Sequence, residues 1–218
     1  MPLRHDPYIP ALRFDWLTFL YDPVVRLTTR EAAFKTALLA QAMIQPGQRV
    51  LDLACGTATL TIAIKQAHPQ AIVIGVDGDP AILRQARAKA ERSGADIAFD
   101  EGLSYELPYA DESFDHVLSS LFFHHLTREN KLRTLTEIKR VLKPGGEFHV
   151  ADWGAPQNVV MKLASQGIVM LDGATTKDNF AGQLPEFIAQ AGFTDVQETR
   201  YFNSLFGTIR LHKGRNPR

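Results

Sequence analysis

The chain of 218 residues is 45% hydrophobic and 22% charged, values ordinary for a globular domain, so extensive disorder is not expected. Its 24 lysines and arginines balance 24 aspartates and glutamates, so no overall charge attracts nucleic acid, and its one cysteine excludes an internal disulfide. Residues 1–15 do not resemble a secretory signal and no apolar run reaches the ~20 residues of a membrane span, so we expect a cytoplasmic protein without a transmembrane segment, with peripheral membrane contact left open.

The first part of the chain, residues 1–45, is expected to form an arm and capping helices ahead of the main domain. Aromatic side chains are concentrated in a helix predicted at 11–21. This helix either packs on the main domain or acts as a lid that forms one wall of an acceptor pocket. A capping-box pattern at 28–31 predicts a second helix, which runs to about Ala42.

The stretch RVLDLACGTATLT at 49–61 predicts a buried strand, a turn at Gly56 and the start of a helix. Backbone N–H groups at such a helix start face a bound ligand. A pyrophosphate is disfavoured, because Asp52 would repel it and because the stretch lacks the three glycines of the dinucleotide fingerprint. A ligand with an ammonium or sulfonium group would suit Asp52, and S-adenosylmethionine carries such a charge together with a carboxylate.

The rest of the chain alternates strands and helices, which predicts an α/β fold. A strand at 71–76 ends in Asp77, one βαβ unit after Asp52, where an acid would accept the hydroxyls of a ribose. Asp79 and Pro80 are expected to cap the following helix, which leaves Asp77 for the ligand. Further strands are predicted at 96–99, 114–119, 147–151, 193–203 and 205–211. Further helices are predicted at 159–171, at 184–191 and after Thr127, which is expected to cap the helix that follows it. A loop is predicted at 172–179.

A family resemblance is carried by four stretches in order: VLDLACGTATLT at 50–61, GVDGDPAIL at 75–83, LPYADESFDHVLSS at 107–120 and RVLKPGGEFHVADW at 140–153. The chain resembles the class I S-adenosylmethionine-dependent methyltransferases, in the small-molecule branch similar to the enzymes of ubiquinone and menaquinone biosynthesis. The resemblance implies a Rossmann-like doubly wound sheet of about seven strands, mostly parallel with an antiparallel C-terminal hairpin and an N-terminal helical cap. It also implies that residues 46–218 form the S-adenosylmethionine-binding methyltransferase domain, within a single structural domain overall.

The resemblance assigns S-adenosyl-L-methionine as the cofactor, S-adenosyl-L-homocysteine as its product, and a set of residues near the strand ends as the binding site. These residues are Asp52, Ala54, Gly56, Thr57, Asp77, Gly78, Leu103, Ser104, Ser119 and Ser120. Two positions depart from the family pattern. Ala58 stands where a third glycine is usual, and Leu103 stands where many relatives have an acid, so Ser104 or main-chain groups are expected to read the adenine.

The candidate catalytic residues are His124, His125 and Asp152, which follow the predicted fourth and fifth strands. Methyl transfer from a sulfonium mainly requires that two reactants are held at attack distance. A phenol, enol or carbon acceptor also loses a proton, which a histidine can take near neutral pH. Cys55 is expected to be a buried apolar side chain rather than a nucleophile. No metal site is expected, because the adjacent histidines would point apart on a helix.

The leading prediction is a methyltransferase that moves a methyl group by in-line displacement to a small, partly apolar acceptor such as a quinol, a lipid headgroup or a natural product. Two alternatives stay open. A non-catalytic S-adenosylmethionine-binding protein is favoured by the departures at Ala58 and Leu103, and a nicotinamide-dependent oxidoreductase is opposed by Asp52 and the missing glycines. The sequence distinguishes neither N-, O-, S- and C-methylation nor the oligomeric state, and it predicts no nucleic-acid partner.

Overall fold

A computed structural model of the protein describes residues 30–217, apart from the side chains of 166–174. The helix predicted at 11–21 and the first residues of the predicted capping box lie outside the described residues. The helices are α1 Glu31–Ala42, α2 Thr59–Ala67, α3 Pro80–Ser93, α4 Arg128–Val141, α5 Val159–Asp172, α6 Lys177–Phe180 and α7 Leu184–Gln190, with 3₁₀ turns at Phe123–His125 and Gly173–Thr176. The strands are β1 Arg49–Leu53, β2 Ile72–Asp77, β3 Ala98–Glu101, β4 Phe114–Ser120, β5 Leu142–Gly154, β6 Thr194–Ser204 and β7 Gly207–Arg215.

The strands form one seven-stranded sheet in the order β3-β2-β1-β4-β5-β7-β6. Strands β1 to β5 are parallel, and β7 pairs antiparallel with both β5 and β6. This confirms the predicted doubly wound, mostly parallel sheet with an antiparallel C-terminal hairpin. The order of the strands reverses between β1 and β4, and ligands of open α/β sheets bind outside the carboxyl ends of the strands at such a point.

Helices cover both faces of the sheet, because neighbouring residues of each strand point to opposite sides. On one face, Leu51 and Leu53 of β1 belong to a core that includes Ile138 of α4. On the other face, Val50 belongs to a core that includes Phe34 of α1. With both faces covered in this way, the carboxyl edge of the parallel strands is where polar ligands can reach the backbone.

Two of the predicted helix caps are confirmed. The Asp79 carboxylate accepts hydrogen bonds from Ala81 N (2.7 Å) and Ile82 N (3.3 Å) at the start of α3. The Thr127 hydroxyl accepts from Asn130 N (3.2 Å) at the start of α4. These side chains satisfy backbone donors that the first helical turn leaves without an intrahelical partner.

The start of α1 differs from the capping-box prediction, although the helix ends at Ala42 as predicted. Arg30 precedes the helix with a φ of 57° and contributes no side-chain cap. The first turn instead contains an ion pair between Glu31 and Lys35, one helical turn apart.

Strand β5 begins at Leu142, earlier than the predicted range of 147–151. The reason lies at the other end of the chain, where Asn216 binds this segment. Its backbone accepts from Gly145 N (2.9 Å) and donates to Gly146 O (2.9 Å), and its side-chain amide donates to Leu142 O (2.8 Å). The Pro-Gly-Gly segment is therefore held as an extension of the strand by a contact distant in sequence.

The prediction of a loop at 172–179 was wrong, because this segment forms a 3₁₀ turn and most of α6. The fully buried Lys131 of α4 donates from Nζ to Thr175 O (2.9 Å), and Asn179 is also buried. Tertiary contacts therefore give this polar stretch a helical structure. Within residues 30–217, no helix is long and apolar enough to cross a membrane.

Candidate functional site

The turn that follows β1 has an alternating backbone conformation. Ala54, Gly56 and Ala58 all have positive φ angles, of 54°, 54° and 65°. Glycine adopts this region freely, whereas an alanine there costs on the order of 1–2 kcal/mol. The turn therefore has a positive φ at every second residue, at the three positions where the resembled family usually has glycine.

Gly56 borders open space at the point of the turn. Apart from Gly56 and its two neighbours in the chain, no described residue has an atom within 4 Å of the position that a Cβ at Gly56 would take. Behind this face the turn is fixed, because Cys55 N donates to Val76 O (3.0 Å) and Ala58 N donates to Cys55 O (3.0 Å). A fixed turn with one open face fits a ligand that approaches the main chain closely, as an S-adenosylmethionine molecule would. The Ala58 methyl is fully buried in a core cluster and does not reach this face.

Asp77 ends β2 and holds the turn in place. Its Oδ2 accepts from Gly56 N (2.9 Å), and its Oδ1 accepts from Asp79 N (3.0 Å). Burial raises the pKa of Asp77, and the two N–H donors oppose part of that rise. The carboxylate therefore lies beside the turn, with one lone pair of each oxygen engaged by the backbone and further lone pairs left for a ligand.

Asp52 lies in the middle of the sheet and is 1% exposed. Its Oδ2 accepts from the Thr61 hydroxyl (2.6 Å) at the start of α2. Burial raises the pKa of Asp52 from 3.8 to about 6, against the opposing effects of the Thr61 hydrogen bond and the Lys35 charge. The sequence placed Asp52 against a positive ligand group. In the structure its carboxylate points toward Thr61, so its influence on a ligand would act through its charge rather than by direct contact.

Thr57 and Gly78 flank the same edge of the sheet. Thr57 lies between the positive-φ residues of the turn, and its hydroxyl accepts from Lys89 Nζ at 3.4 Å. Gly78 connects Asp77 with the cap of α3, and it is partly exposed. Both residues therefore border the region where Gly56 leaves open space.

The segment after β3 contains the predicted adenine-binding residues. Gly102 N donates to Asp77 O (3.1 Å), which brings this segment next to the end of β2. Leu103 forms an isolated antiparallel bridge with Glu106. The Ser104 hydroxyl is hydrogen-bonded to the Thr134 hydroxyl of α4 (2.9 Å), so Ser104 is already engaged within the protein.

Ser119 and Ser120 end β4 but have different surroundings. Ser119 is fully buried, and its hydroxyl donates to Leu53 O (3.0 Å) in the neighbouring strand β1. Ser120 is the last residue of β4 and is partly exposed. The structure thus brings Ser120 to the edge of the sheet and engages Ser119 in the pairing of β4 with β1.

His124 and Asp152 form a buried pair where β5 passes the turn after β4. His124 Nδ1 lies 2.6 Å from Asp152 Oδ1. Asp152 also accepts from Phe122 N (3.1 Å), His124 N (3.3 Å) and Trp153 N (2.7 Å). Burial by itself raises the pKa of Asp152, but the charge and ring hydrogen bond of His124, together with the hydrogen bond from Trp153 N, outweigh burial and hold the pKa below its usual value. The imidazole is therefore oriented by a carboxylate, which leaves Nε2 as the nitrogen that can exchange a proton.

The sequence predicted that the side chains of His124 and His125 point apart, but His125 packs against His124. The two ring centroids are 3.9 Å apart with an interplanar angle of 42°. The difference arises because the segment forms a 3₁₀ turn at Phe123–His125 rather than an α-helix. Burial and the neighbouring His124 lower the pKa of His125 to about 3. His125 is therefore neutral near pH 7.

Sequence reasoning missed two residues around this pair. Phe180 of α6 stacks on Trp153, with ring centroids 6.1 Å apart and an interplanar angle of 21°, and Trp153 in turn meets the edge of His124 at 6.5 Å. Lys131 is the second, a fully buried lysine whose charge interacts with Asp152. Its place in the i, i+4 row with Leu135 was the available signal, since that row faces the core. No sequence signal was available for Phe180, which lies just after the predicted loop.

Cys55 is buried behind the turn, as expected from the sequence. Burial, followed by the charges of Asp52 and Asp77, raises the pKa of its thiol well above its usual value. A thiol that stays protonated is a poor nucleophile.

Comparisons with known proteins agree with this geometry. A family described as a methyltransferase domain matches residues 50–146. A demethylmenaquinone methyltransferase of Thermus thermophilus is 31% identical over 226 residues, an alignment that covers 95% of this chain and 98% of the relative. An uncharacterised methyltransferase of a Synechocystis species is 30% identical and covers 92% of each chain.

Solved structures with the same fold include methyltransferases with bound ligands. The phosphoethanolamine N-methyltransferase 2 of Haemonchus contortus, in complex with S-adenosyl-L-methionine, superposes with a TM-score of 0.76 at 17% identity, covering 96% of this chain and 59% of that one. A S-adenosylmethionine-dependent methyltransferase of Aquifex aeolicus superposes with a TM-score of 0.68 at 17% identity, covering 93% of this chain and 99% of that one. At these identities the likeness concerns the fold.

Proposed function

The chain belongs to the class I S-adenosylmethionine-dependent methyltransferases, and we propose that it methylates a hydroxylated aromatic acceptor of the quinol type, with His124 as the general base. The enzyme takes its methyl group from S-adenosylmethionine. The observation that carries the proposal is the buried His124–Asp152 pair at 2.6 Å. A nitrogen or sulfur acceptor needs little beyond positioning, whereas a phenol or quinol must lose a proton during the reaction.

The donor would be held along the carboxyl ends of β1, β2 and β4. Asp77 has lone pairs left for the ribose hydroxyls after it has bound the backbone N–H groups of Gly56 and Asp79. The open face at Gly56 accommodates the methionine part, and the buried charge of Asp52 favours its positive groups through space. Ala54, Thr57, Gly78, Leu103, Ser104 and Ser120 complete the proposed contact set, while Ser119 supports it through Leu53.

The transfer step uses the protein mainly to position reactants and to accept one proton. S-adenosylmethionine supplies, when bound, a methyl group activated by a sulfonium. His124 accepts at Nε2 the proton that the acceptor hydroxyl loses, and Asp152 stabilises the imidazolium that results. The acceptor oxygen or ring carbon forms a bond to the methyl carbon as the carbon–sulfur bond breaks. The electron pair of the broken carbon–sulfur bond stays on sulfur. The neutral His125 packs on the His124 ring and would keep water from it.

The aromatic residues around the pair support an apolar, planar acceptor. Trp153 is 5% exposed and stacks on Phe180, so the side of the His124 ring that faces them is apolar. Offset aromatic contacts of this kind favour a planar ring over a flexible amine. The name of the Thermus relative, a demethylmenaquinone methyltransferase, points to the same class of acceptor.

The experiment compares three acceptors with one labelled donor. Purified protein is incubated with methyl-labelled S-adenosylmethionine and either a reduced naphthoquinone, a catechol or phosphoethanolamine, and the products are separated by mass. The proposal predicts label in the reduced naphthoquinone, with a loss of about 10²–10⁴-fold in kcat for His124→Gln. Labelling of phosphoethanolamine alone, or equal activity of His124→Gln on the quinol, would overturn it.

A further inference from the structure

A second cluster of ligating side chains lies at the opposite edge of the sheet from the turn after β1. His116 is near the start of β4, and Glu147 and His149 are in β5, where Glu147 pairs with His116 in the strand register. One ligand atom of each of the three lies within 4.8 Å of the others. Since residues in register on neighbouring strands point to the same face, the three side chains converge on one point.

The histidines of this cluster have nitrogens without partners. Among residues 30–217, neither ring nitrogen of the fully buried His149 has a hydrogen-bond partner, and Nδ1 of His116 has none either. A buried polar atom without a partner costs free energy of about the size of a lost hydrogen bond. Such atoms in a native structure call for an explanation such as a water or an ion.

The tautomer of His116 suits a ligand at Nδ1. Gln48 Oε1 accepts from Gln45 N (2.7 Å), which identifies that atom as the amide oxygen. Nε2 of His116 lies 3.1 Å from the same oxygen and therefore donates to it. In the neutral ring, Nδ1 then carries a lone pair, and an outer carbonyl that accepts from a histidine is the usual support of a metal-binding imidazole.

Glu147 completes the set and keeps one oxygen for it. Its Oε1 accepts from Arg215 Nη2 (2.8 Å), while its Oε2 lies 3.5 Å from Nε2 of His149. Two ligand atoms at bonds of about 2.1 Å in a tetrahedral site are about 3.4 Å apart. The separation of 3.5 Å between His149 Nε2 and Glu147 Oε2 is close to this value, and all three ligand atoms lie within 4.8 Å of one another.

We propose that His116, Glu147 and His149 bind a divalent transition metal ion, zinc in the first place, where the first half of β4 pairs with the middle of β5. Two imidazoles and one carboxylate are a common ligand set for zinc, with solvent in the fourth position. Magnesium and calcium prefer oxygen ligands and would not bind here. The site is separated from Ser120 by four residues of extended strand, roughly 13 Å, so its role is to fasten β4 to β5 and not to take part in methyl transfer. The fastening would act where the pairing of these strands shifts register between Phe114 and His116.

The test measures zinc binding to the full chain without an affinity tag. After dialysis against a chelator, the protein is titrated with zinc chloride by calorimetry and its thermal unfolding is followed with and without the metal. We expect one zinc ion per chain at micromolar or tighter affinity and a higher Tm in its presence, with no response to magnesium. A flat titration at 100 µM protein would overturn the proposal.

Three variants locate the site. Glu147→Gln keeps an acceptor for Arg215 and should weaken zinc binding at least tenfold, and His149→Phe should abolish it while leaving no orphaned nitrogen at that position. His212→Asn is the matched control, because His212 is also a buried histidine with an unpartnered Nδ1 among the described residues but lies outside the cluster. Zinc affinity that is unchanged in both Glu147→Gln and His149→Phe would contradict the proposal, since the metal would then be bound elsewhere.

Discussion

The Nδ1 atom of His124 lies 2.6 Å from Oδ1 of Asp152, a contact between residues 28 positions apart that joins the turn after β4 to β5. The same carboxylate accepts three backbone N–H groups, which fixes its position. A carboxylate held in this way orients the imidazole ring through its Nδ1. The proposed general base is therefore already held in position by the fold.

The first prediction separates the two adjacent histidines. His124→Gln should lower kcat by about 10²–10⁴-fold, because it removes the proposed base that Asp152 orients. His125→Gln should lower kcat less than tenfold, because His125, with a pKa of about 3, does not exchange a proton near pH 7. Steady-state kinetics with a saturating donor measures both values, and calorimetric titration with S-adenosylmethionine checks that donor binding is retained. A larger loss of kcat for His125→Gln than for His124→Gln would show that His125, and not His124, is the base.

The second prediction concerns the pH dependence of stability that Asp52 causes. Its pKa is about 6 in the folded protein and 3.8 in a free chain, so the folded state retains a proton that the unfolded state releases between about pH 4 and 6. Stability therefore falls as the pH rises through this window, by up to about 3 kcal/mol. Asp52→Asn keeps an oxygen for the Thr61 hydroxyl and should lose this dependence.

At pH 8 the Asp52→Asn variant should be more stable than the wild type and should bind S-adenosylmethionine more weakly, because the buried negative charge is gone. Urea unfolding of both proteins at pH 4, 6 and 8 measures the difference. The prediction fails if the stability difference between the two proteins is the same at all three pH values.

The third prediction uses two neighbouring acids. Asp77→Asn replaces one acceptor oxygen by an amide NH₂ group that faces the N–H of Gly56 or Asp79, so the turn loses a hydrogen bond. S-adenosylmethionine would also lose a carboxylate as the partner of its ribose. We expect S-adenosylmethionine affinity to fall by about 10–100-fold, the value of one hydrogen bond to a charged group. Asp79→Asn is the control, because asparagine caps a helix as well as aspartate does and α3 should be unchanged. Equal losses of donor affinity in both variants would argue against a ligand role for Asp77.

The fourth prediction compares two glycines that both have a positive φ angle, at which an alanine would be strained. Gly56 and Gly47 have φ angles of +54° and +81°. At both positions the place that a Cβ would take is more than 4 Å from every described residue other than the glycine and its two chain neighbours. An alanine at either position should lower the free energy of unfolding by on the order of 1–2 kcal/mol. Only Gly56→Ala should also weaken S-adenosylmethionine binding, by tenfold or more, because its methyl would enter the space beside the turn. Denaturant unfolding and calorimetry measure the two effects, and full donor affinity in Gly56→Ala would show that the ligand does not approach this face.

Much of the architecture follows from local patterns in the chain. Apolar runs separated by amphipathic stretches predicted the strands and helices, and the four ordered stretches predicted the doubly wound sheet with its antiparallel hairpin. The caps at Asp79 and Thr127 were predictable because they depend on residues within three positions. The hydrogen bond from Lys131 to Thr175 O and the helical turn at Gly173–Thr176 were not predictable, since each depends on a contact between segments distant in sequence.

For the site, the sequence determined which side chains reach the carboxyl edge of the sheet, because each parallel strand ends there. The tertiary structure decided what those side chains do next. The register of β4 against β1 buries Ser119 and directs its hydroxyl to Leu53 O. The packing of α2 places the Thr61 hydroxyl within hydrogen-bond distance of Asp52. The passage of β5 beside the turn after β4 places Asp152 next to His124. Hydrogen bonds between strands and helices distant in sequence are set by packing geometry, which a single sequence does not specify.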